Sequence, residues 1–395
     1  MRIFKPVISY NDNDVQWTAA IQQQGKKLVK IFFSVDRRYQ DFIVDDLSTL
    51  VAGLLFAAMK HRENVQVDGG VSQQLFSNLS PVMRTTEKWR VGFSPINVST
   101  DAKNIDTYQP QGVGCFFSGG VDSFYTLLKH NSGPKKITHI IFVLGFDISL
   151  RDKKFFAITQ RHLKEIAYDQ NVELLVVKTN LREYLDTLID WDWSYGGALA
   201  SVGLLLRKGF NTIYIASSNP PDNIFPNGSH PDIDPLWSTE KLLFVYDGAE
   251  HNRLEKIEQY IAASPLALQH LRVCYKNSLG QYNCNKCTKC MRTKVELAVT
   301  GALDKAKTLD NKLDYAAFRH AQVRGAGHRA HFEESLRRLQ ATGQLPGLAE
   351  ILNTVLYRKN FSSLGWRLRD TVNRLDGKYT NHRLYKLFTR YGIIK

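Results

Sequence analysis

Two groups of residues in this chain have the types and spacing to do chemistry. The first is the string Ser118-Gly119-Gly120-Val121-Asp122-Ser123. Serine hydroxyls and glycine amides can crowd around a phosphate, because glycine puts no Cβ between its N–H and the ligand. Apolar residues from Val113 to Phe117 precede the string, and Phe124-Tyr125-Thr126-Leu127-Leu128-Lys129 follows with helical character. A strand, a glycine turn and a helix N-terminus in that order make an anion site, since free N–H groups and the helix dipole both favour negative charge. Asp122 is the exception, a carboxylate where phosphates are expected. It is accounted for if it helps hold Mg²⁺, which bridges phosphate oxygens. The expected chemistry is nucleotide binding, with Ser118 and Asp122 as candidate catalytic residues and the whole string as cradle. The Gly-Lys-Ser/Thr ending of a Walker A loop is absent.

The second group is Cys274, Cys284, Cys287 and Cys290, spaced C-x9-C-x2-C-x2-C. Four thiolates suit tetrahedral Zn²⁺ at about 2.3 Å, and a site filled by protein ligands is structural. A C-x2-C turn offers two donors, Cys290 a third at a helix start, and Cys274 closes the set from a strand expected at Leu271-Arg272-Val273. Thiolates also hold iron–sulfur clusters, so that alternative stays open. Cys115 lies in the strand before the glycine turn and reads as a core residue.

These groups need elements to position them. From Gly112, strands alternate with helices: Val113–Phe117, Thr138–Gly145, Val172–Lys178 and Thr212–Ala216 as strands, Lys153–Tyr168 and Tyr195–Lys208 as helices. Strands without clear alternation, spaced by helices, predict an α/β fold with a parallel sheet covered on both faces. Ligands of such sheets bind beyond the carboxyl ends of the strands. The glycine string, Phe146-Asp147 and Ser217-Ser218-Asn219 should therefore share one rim, making Asp147, Ser217 and Asn219 further candidates. The long loop 219–240, with His230, Asp232, Asp234 and Trp237, reads as a substrate-side lid. Arg253 and Lys256 follow on a helix and could face phosphate, although a solvated helix face is the expected reading. Residues 1–110 read as a small α+β domain, with Asp101–Gln111 as linker to a nucleotide-binding domain over 111–300. Residues 301–395 have a helical pattern, as in Phe332, Leu336, Leu339 and Leu348, Ile351, Leu352, Val355, Leu356.

Ser-Gly-Gly-Val-Asp-Ser after a predicted strand resembles the signature of the PP-loop ATP pyrophosphatase family. With the cysteines at the end of the same unit, residues 112–300 are similar to the 7-cyano-7-deazaguanine synthases of the queuosine pathway. There too a helix follows the last cysteine, here Met291-Arg292-Thr293-Lys294-Val295-Glu296. The resemblance implies an adenine nucleotide alpha hydrolase-like PP-loop fold, a structural Zn²⁺, and ATP with Mg²⁺. It also implies activation of a substrate carboxylate, such as a 7-deazaguanine acid, as its acyl-AMP, with pyrophosphate release and transfer to ammonia or another amine. The chain departs from that family in the residues flanking 112–300 and in the loop 219–240, which does not reproduce the base-recognition segment.

The net charge of +14 suits anionic partners. The last 95 residues carry 18 Lys+Arg against 8 Asp+Glu, so the surplus concentrates there. Aromatic and basic residues alternate from Trp366 to Tyr391 and could grip single-stranded RNA, although a solvated basic face is the expected reading. The longest apolar run, Leu50–Met59, is far short of the ~20 residues that span a bilayer. A cytoplasmic protein with no membrane contact is expected, its flanking domains available to a protein partner. Two alternatives remain: a PP-loop tRNA-modifying enzyme of the thiolating type, and a non-catalytic nucleotide-sensing subunit.

Overall fold

Every strand of the described residues joins one mixed sheet. The computed structural model describes residues 1–218, 224–276, 281–320 and 326–357. In chain order the elements are β1 (Arg2–Ile3), β2 (Val7–Tyr10), β3 (Asp14–Gln22), β4 (Val29–Asp36), α1 (Ser48–His61), β5 (Val65–Ser72), α2 (Gln73–Lys88) and β6 (Val98–Asn104). Then come β7 (Gly112–Phe116), α3 (Val121–Lys129), β8 (His139–Leu144), α4 (Lys153–Asp169), β9 (Glu173–Thr179), α5 (Leu181–Leu185), α6 (Trp191–Leu205), β10 (Phe210–Ala216) and β11 (Leu243–Asp247). The remainder is helical: α7 (Arg253–Lys256), α8 (Pro265–His270), α9 (Thr288–Val299), α10 (Tyr315–His320), α11 (Ala326–Thr342) and α12 (Pro346–Tyr357).

The sheet order is β11-β10-β7-β8-β9-β4-β3-β1-β5-β6, with β2 paired to β3. From β11 to β9 all neighbours are parallel. The chain builds outward from β7 through β8 to β9, then returns to the other side of β7 for β10 and β11. Such a reversal opens a crevice at the carboxyl ends of the two strands that flank it, here β7 and β10. The parallel expectation thus holds across 112–247. Beyond β9 the sheet is antiparallel through β4, β3 and β1, starting where β4 pairs with β9 at Phe33–Thr179 and Ser34–Lys178, and it returns to parallel pairing from β1 to β5 and β6.

Burial explains the two strand types. In β3, Val15, Trp17, Ala19 and Ile21 are buried while their neighbours are less so, the alternation of a strand with one covered face. In β8, five consecutive residues from Ile140 to Leu144 are buried because helices cover both faces. One core packs α1, α5 and α6 against the sheet; the other packs α3, α4, α8 and α9 on the opposite face. Helices α1 and α6 approach closely: a Cβ on Gly197 would lie 2.7 Å from the Ala52 carbonyl oxygen. This is why α6 is rich in small residues.

The segment 101–111 is not a plain tether. Asp101–Asn104 belong to β6, and Asp106 is buried against Arg207, accepting from its Nε at 2.9 Å. The same guanidinium grips Asp46 bidentately. The third core gathers Phe332, Leu336, Leu339, Leu348, Ile351, Leu352 and Leu356 around Val295 of α9, as the spacing of those residues predicts. The basic aromatic run from 366 to 391 lies outside the described residues. No helix among the described residues is long and apolar enough to cross a membrane.

Candidate functional site

The glycine string forms the turn between β7 and α3, at the reversal of strand order. Gly119 has φ +79°, a conformation that side-chained residues adopt at a cost. Its carbonyl accepts from the Arg272 amide at 2.7 Å, which fastens the turn to the segment leading to the first cysteine. A Cβ on Gly119 would sit 3.3 Å from the Arg272 Cβ. Gly119→Ala is therefore expected to lower stability by ~1–2 kcal/mol, measured by urea unfolding.

Gly120 is the N-cap of α3 and supplies no side-chain cap, so the first-turn N–H groups face outward without one. Ser118 Oγ accepts from the Gly120 amide at 3.4 Å. Ser123 donates its hydroxyl to the Gly120 carbonyl at 3.1 Å, so that proton is spent inside the turn.

This turn opens into a cleft of about 1480 Å³. Ser118, Gly120, Val121, Asp122, Ser123 and Asp147 all line it, as the rim argument requires. Gly119 is not among the lining residues; a Cβ on it would point at Arg272 and Tyr282. Asp147 is half-exposed and pairs with Arg182 at 3.6 Å. Ser217 is buried, and its carbonyl accepts from Lys256 at 2.6 Å, so it acts as a fixing point rather than a rim group. Asn219 lies outside the described residues.

The lid expectation needs correction. Phe225 and Asn227 line the cleft, but His230, Asp234 and Trp237 turn away from it. Trp237 is fully buried in the core, His230 packs on the Trp89 ring at 5.1 Å, and Asp234 accepts from Ser229. Asp232 is exposed outside the cleft lining. A loop with this many buried anchors is packed structure.

The largest revision concerns charge. Arg253 and Lys256, expected to be solvated, are buried and converge on Asp122. Arg253 Nη1 meets one carboxylate oxygen at 3.2 Å and Lys256 Nζ the other at 3.2 Å. A capping box between Asn252 and Glu255 fixes where their helix begins. Burial alone would raise the Asp122 pKa, but Lys256 and then Arg253 outweigh it and hold the carboxyl at about 2. Behind them, Arg253 Nε donates to buried Glu296 at 3.0 Å. Arg292, one turn before Glu296 on α9, is driven down to about 10 by burial and by Arg253. Lys289 and Arg272 also line the cleft. Five cations therefore stand against three carboxylates, Asp122, Glu296 and Asp147, and the wall beside the glycine turn is left electropositive. The lining also carries Glu183, Asp186, Asp190 and Asp192 with Trp191 and Trp193; Arg151 pairs with Glu183 and Arg182 with Asp186, which leaves Asp190 and Asp192 beside the two tryptophans.

The four cysteine sulfurs converge. Sγ separations are 3.5 Å for Cys287–Cys290, 3.9 Å for Cys284–Cys290 and 4.0 Å for Cys274–Cys287. A tetrahedron of sulfurs 2.3 Å from Zn²⁺ has edges of about 3.8 Å; three separations match that edge and all four sulfurs lie within 4.8 Å of one another, so the donor set suits a metal. Cys287 is the N-cap of α9 and Cys290 lies in its first turn, as the spacing predicts. Residues 271–274 form no strand; the Arg272 amide meets the Gly119 carbonyl, and Asn283 Oδ1 receives the Val273 and Cys274 amides. Cys115 is fully buried in the sheet core. The cysteines also organise the cleft. Arg272 precedes Cys274 by two residues and Arg292 follows Cys290 by two, so a bound metal would tie together both segments that carry the electropositive wall.

Sequence reasoning missed Arg272, Lys289 and Arg292. The spacing 289, 292, 296 did place Lys, Arg and Glu on one helix face. The contact of Glu296 with Arg253 distinguishes that face from a solvated one. Comparisons with models of known protein families, with curated proteins and with solved structures found no match to this chain.

Proposed function

We propose that the cleft binds ATP at the glycine turn and transfers AMP to a substrate carboxylate, releasing pyrophosphate, in the manner of the PP-loop synthases that the string resembles. One observation carries this reading: an uncapped helix N-terminus and a glycine turn sit at the β7–β10 crevice, beside a wall whose cations outnumber its carboxylates. The amides of the turn would receive phosphate oxygens, and Arg253, Lys256 and Arg292 would carry the negative charge that builds on the departing pyrophosphate. In-line attack needs positioning more than covalent chemistry, which suits a site made of donors and cations.

Asp122 takes a different role from the Mg²⁺ ligand expected from sequence. Both its oxygens already meet cations, a poor donor set for a divalent ion, so it positions Arg253 and Lys256. Mg²⁺ then enters only as the counter-ion that ATP brings. Trp191 and Trp193, with Asp190 and Asp192 beside them in the lining, suit an aromatic acid that carries hydrogen-bond donors. A 7-deazaguanine acid is such a molecule, with ammonia or another amine as acceptor.

The test is product analysis: ATP, Mg²⁺ and candidate acids are incubated with the protein and the nucleotides separated. AMP and pyrophosphate are expected; ADP and phosphate would overturn the reading. Binding without turnover under every acid would leave a nucleotide sensor. Gly120→Ala provides a second check. Gly120 has ordinary φ, its added Cβ would press on the Ser118 Oγ at 3.3 Å, and alanine is the poorer N-cap, so the melt should fall by a few degrees with the fold kept. A methyl between amide and phosphate should nevertheless weaken ATP binding by about tenfold or more, measured by calorimetry.

A further inference from the structure

A second cluster of metal-ligating side chains lies outside the cleft lining. His162 and Glu165 stand one turn apart on α4, and His270 ends α8. The His162 and His270 Nδ1 atoms face each other at 2.8 Å, and a Glu165 carboxylate oxygen lies 3.7 Å from His270 Nδ1. All three donor atoms fall within 4.8 Å of one another. His270 is 3% exposed, whereas Glu165 is 50% exposed, so the site has a buried floor and an open side.

We propose that His162, Glu165 and His270 bind an exchangeable divalent transition metal of the Zn²⁺ class, and that its occupancy stiffens the glycine turn. Two imidazoles and a carboxylate are a donor set that Zn²⁺ takes readily, with a fourth position left to water. Imidazole nitrogens about 2.05 Å from a tetrahedral metal lie about 3.3 Å apart, so the rings need part by only about half an ångström. Without a metal, one proton shared between the two nitrogens must serve both rings, and the carboxylate then reaches the pair only at 3.7 Å.

The route to the turn is short. Two residues after His270, the Arg272 amide holds the Gly119 carbonyl at 2.7 Å. On the other side, the Tyr282 ring stacks on His162 at 4.1 Å, and its hydroxyl lies 3.6 Å from where a Gly119 Cβ would be. That hydroxyl is buried with no hydrogen-bond partner among the described residues. A metal between α4 and α8 would pin both supports of the turn.

The experiment uses the full chain, stripped with a weak chelator and titrated with Co²⁺. Wild type should take up one ion with weak visible bands and no sulfur-to-cobalt charge transfer, which marks the site as distinct from the cysteines. Glu165→Gln, at a half-exposed position that packing tolerates, and His162→Gln should each weaken that ion by at least tenfold. Uptake without change in both variants, or no such ion in wild type, would overturn the site. Hydrogen exchange of amides 117–123 reads the coupling: metal should slow it in wild type and not in Glu165→Gln. Unchanged exchange in metal-loaded wild type would overturn the coupling. Neither readout involves nucleotide, so the result stands apart from the fate of the ATP proposal.

Discussion

Asp122→Asn is expected to reduce AMP formation by about 100-fold or more, the scale seen when one preorganised electrostatic group is lost from a site of developing charge. The amide is the same size as the carboxylate, so packing is kept. What is lost is the negative charge that holds Arg253 and Lys256 in place, each at 3.2 Å. Freed cations would repel one another and Arg292, and the wall would no longer present a fixed pattern to the phosphates. The same substitution has a signature in stability. The Asp122 carboxyl sits at about 2 in the fold against an ordinary 3.8. A depressed carboxyl contributes stability that is fully present above its unfolded value and is lost as pH falls through the folded one. Nearly two pKa units correspond to ~2 kcal/mol. Urea unfolding of wild type and variant should differ by that order at pH 6 and converge between pH 4 and pH 2. Equal stability at pH 6 would mean that the ion pairs contribute nothing.

Cys290→Ser should have the largest effect on the fold. Cys290 is fully buried, with Cys287 and Cys284 sulfurs at 3.5 and 3.9 Å. Structural zinc contributes folding energy directly, so loss of a ligand should lower the melting temperature by about 10 °C or more. Metal analysis should show the tightly held ion missing. ATP affinity should fall together with metal content, because Arg272 and Arg292 belong to the segments the metal joins. A variant that keeps its metal and melts like wild type would refute the four-cysteine centre. Visible absorption in the native protein would favour an iron–sulfur cluster over Zn²⁺.

Much of the site-bearing half was legible before the structure. Strands β7 to β10 and helix α4 announce themselves through apolar runs and helical spacing, because both faces of that sheet are covered and burial writes itself into composition. The glycine string and the cysteines were legible because their chemistry requires particular residues at fixed spacing. Three things were not. Strand β3 alternates with alanine and glutamine, a weak signal, and β1 is two residues long. The run Leu242–Tyr246 did carry a signal for β11 that the loop reading obscured. The electropositive wall was hidden because Arg253 and Lys256 are charged residues on a short helix, and nothing local distinguishes a buried charge from a solvated one. Their partner is more than a hundred residues away. The packed loop 228–240 was hidden for the same reason: Trp237 and Asp234 look like loop residues until α1 and Ser229 are beside them.

The joint between β9 and β4 bears on how such a unit could be reused. Lifted out alone, residues 112–247 would present β9 with bare amides and carbonyls where Phe33 and Ser34 now pair. They would also bare the glycine-lined face of α6 that now meets Ala52. A unit of this kind is not portable by itself; any recombination that carried it elsewhere would have to bring a replacement strand and helix with it.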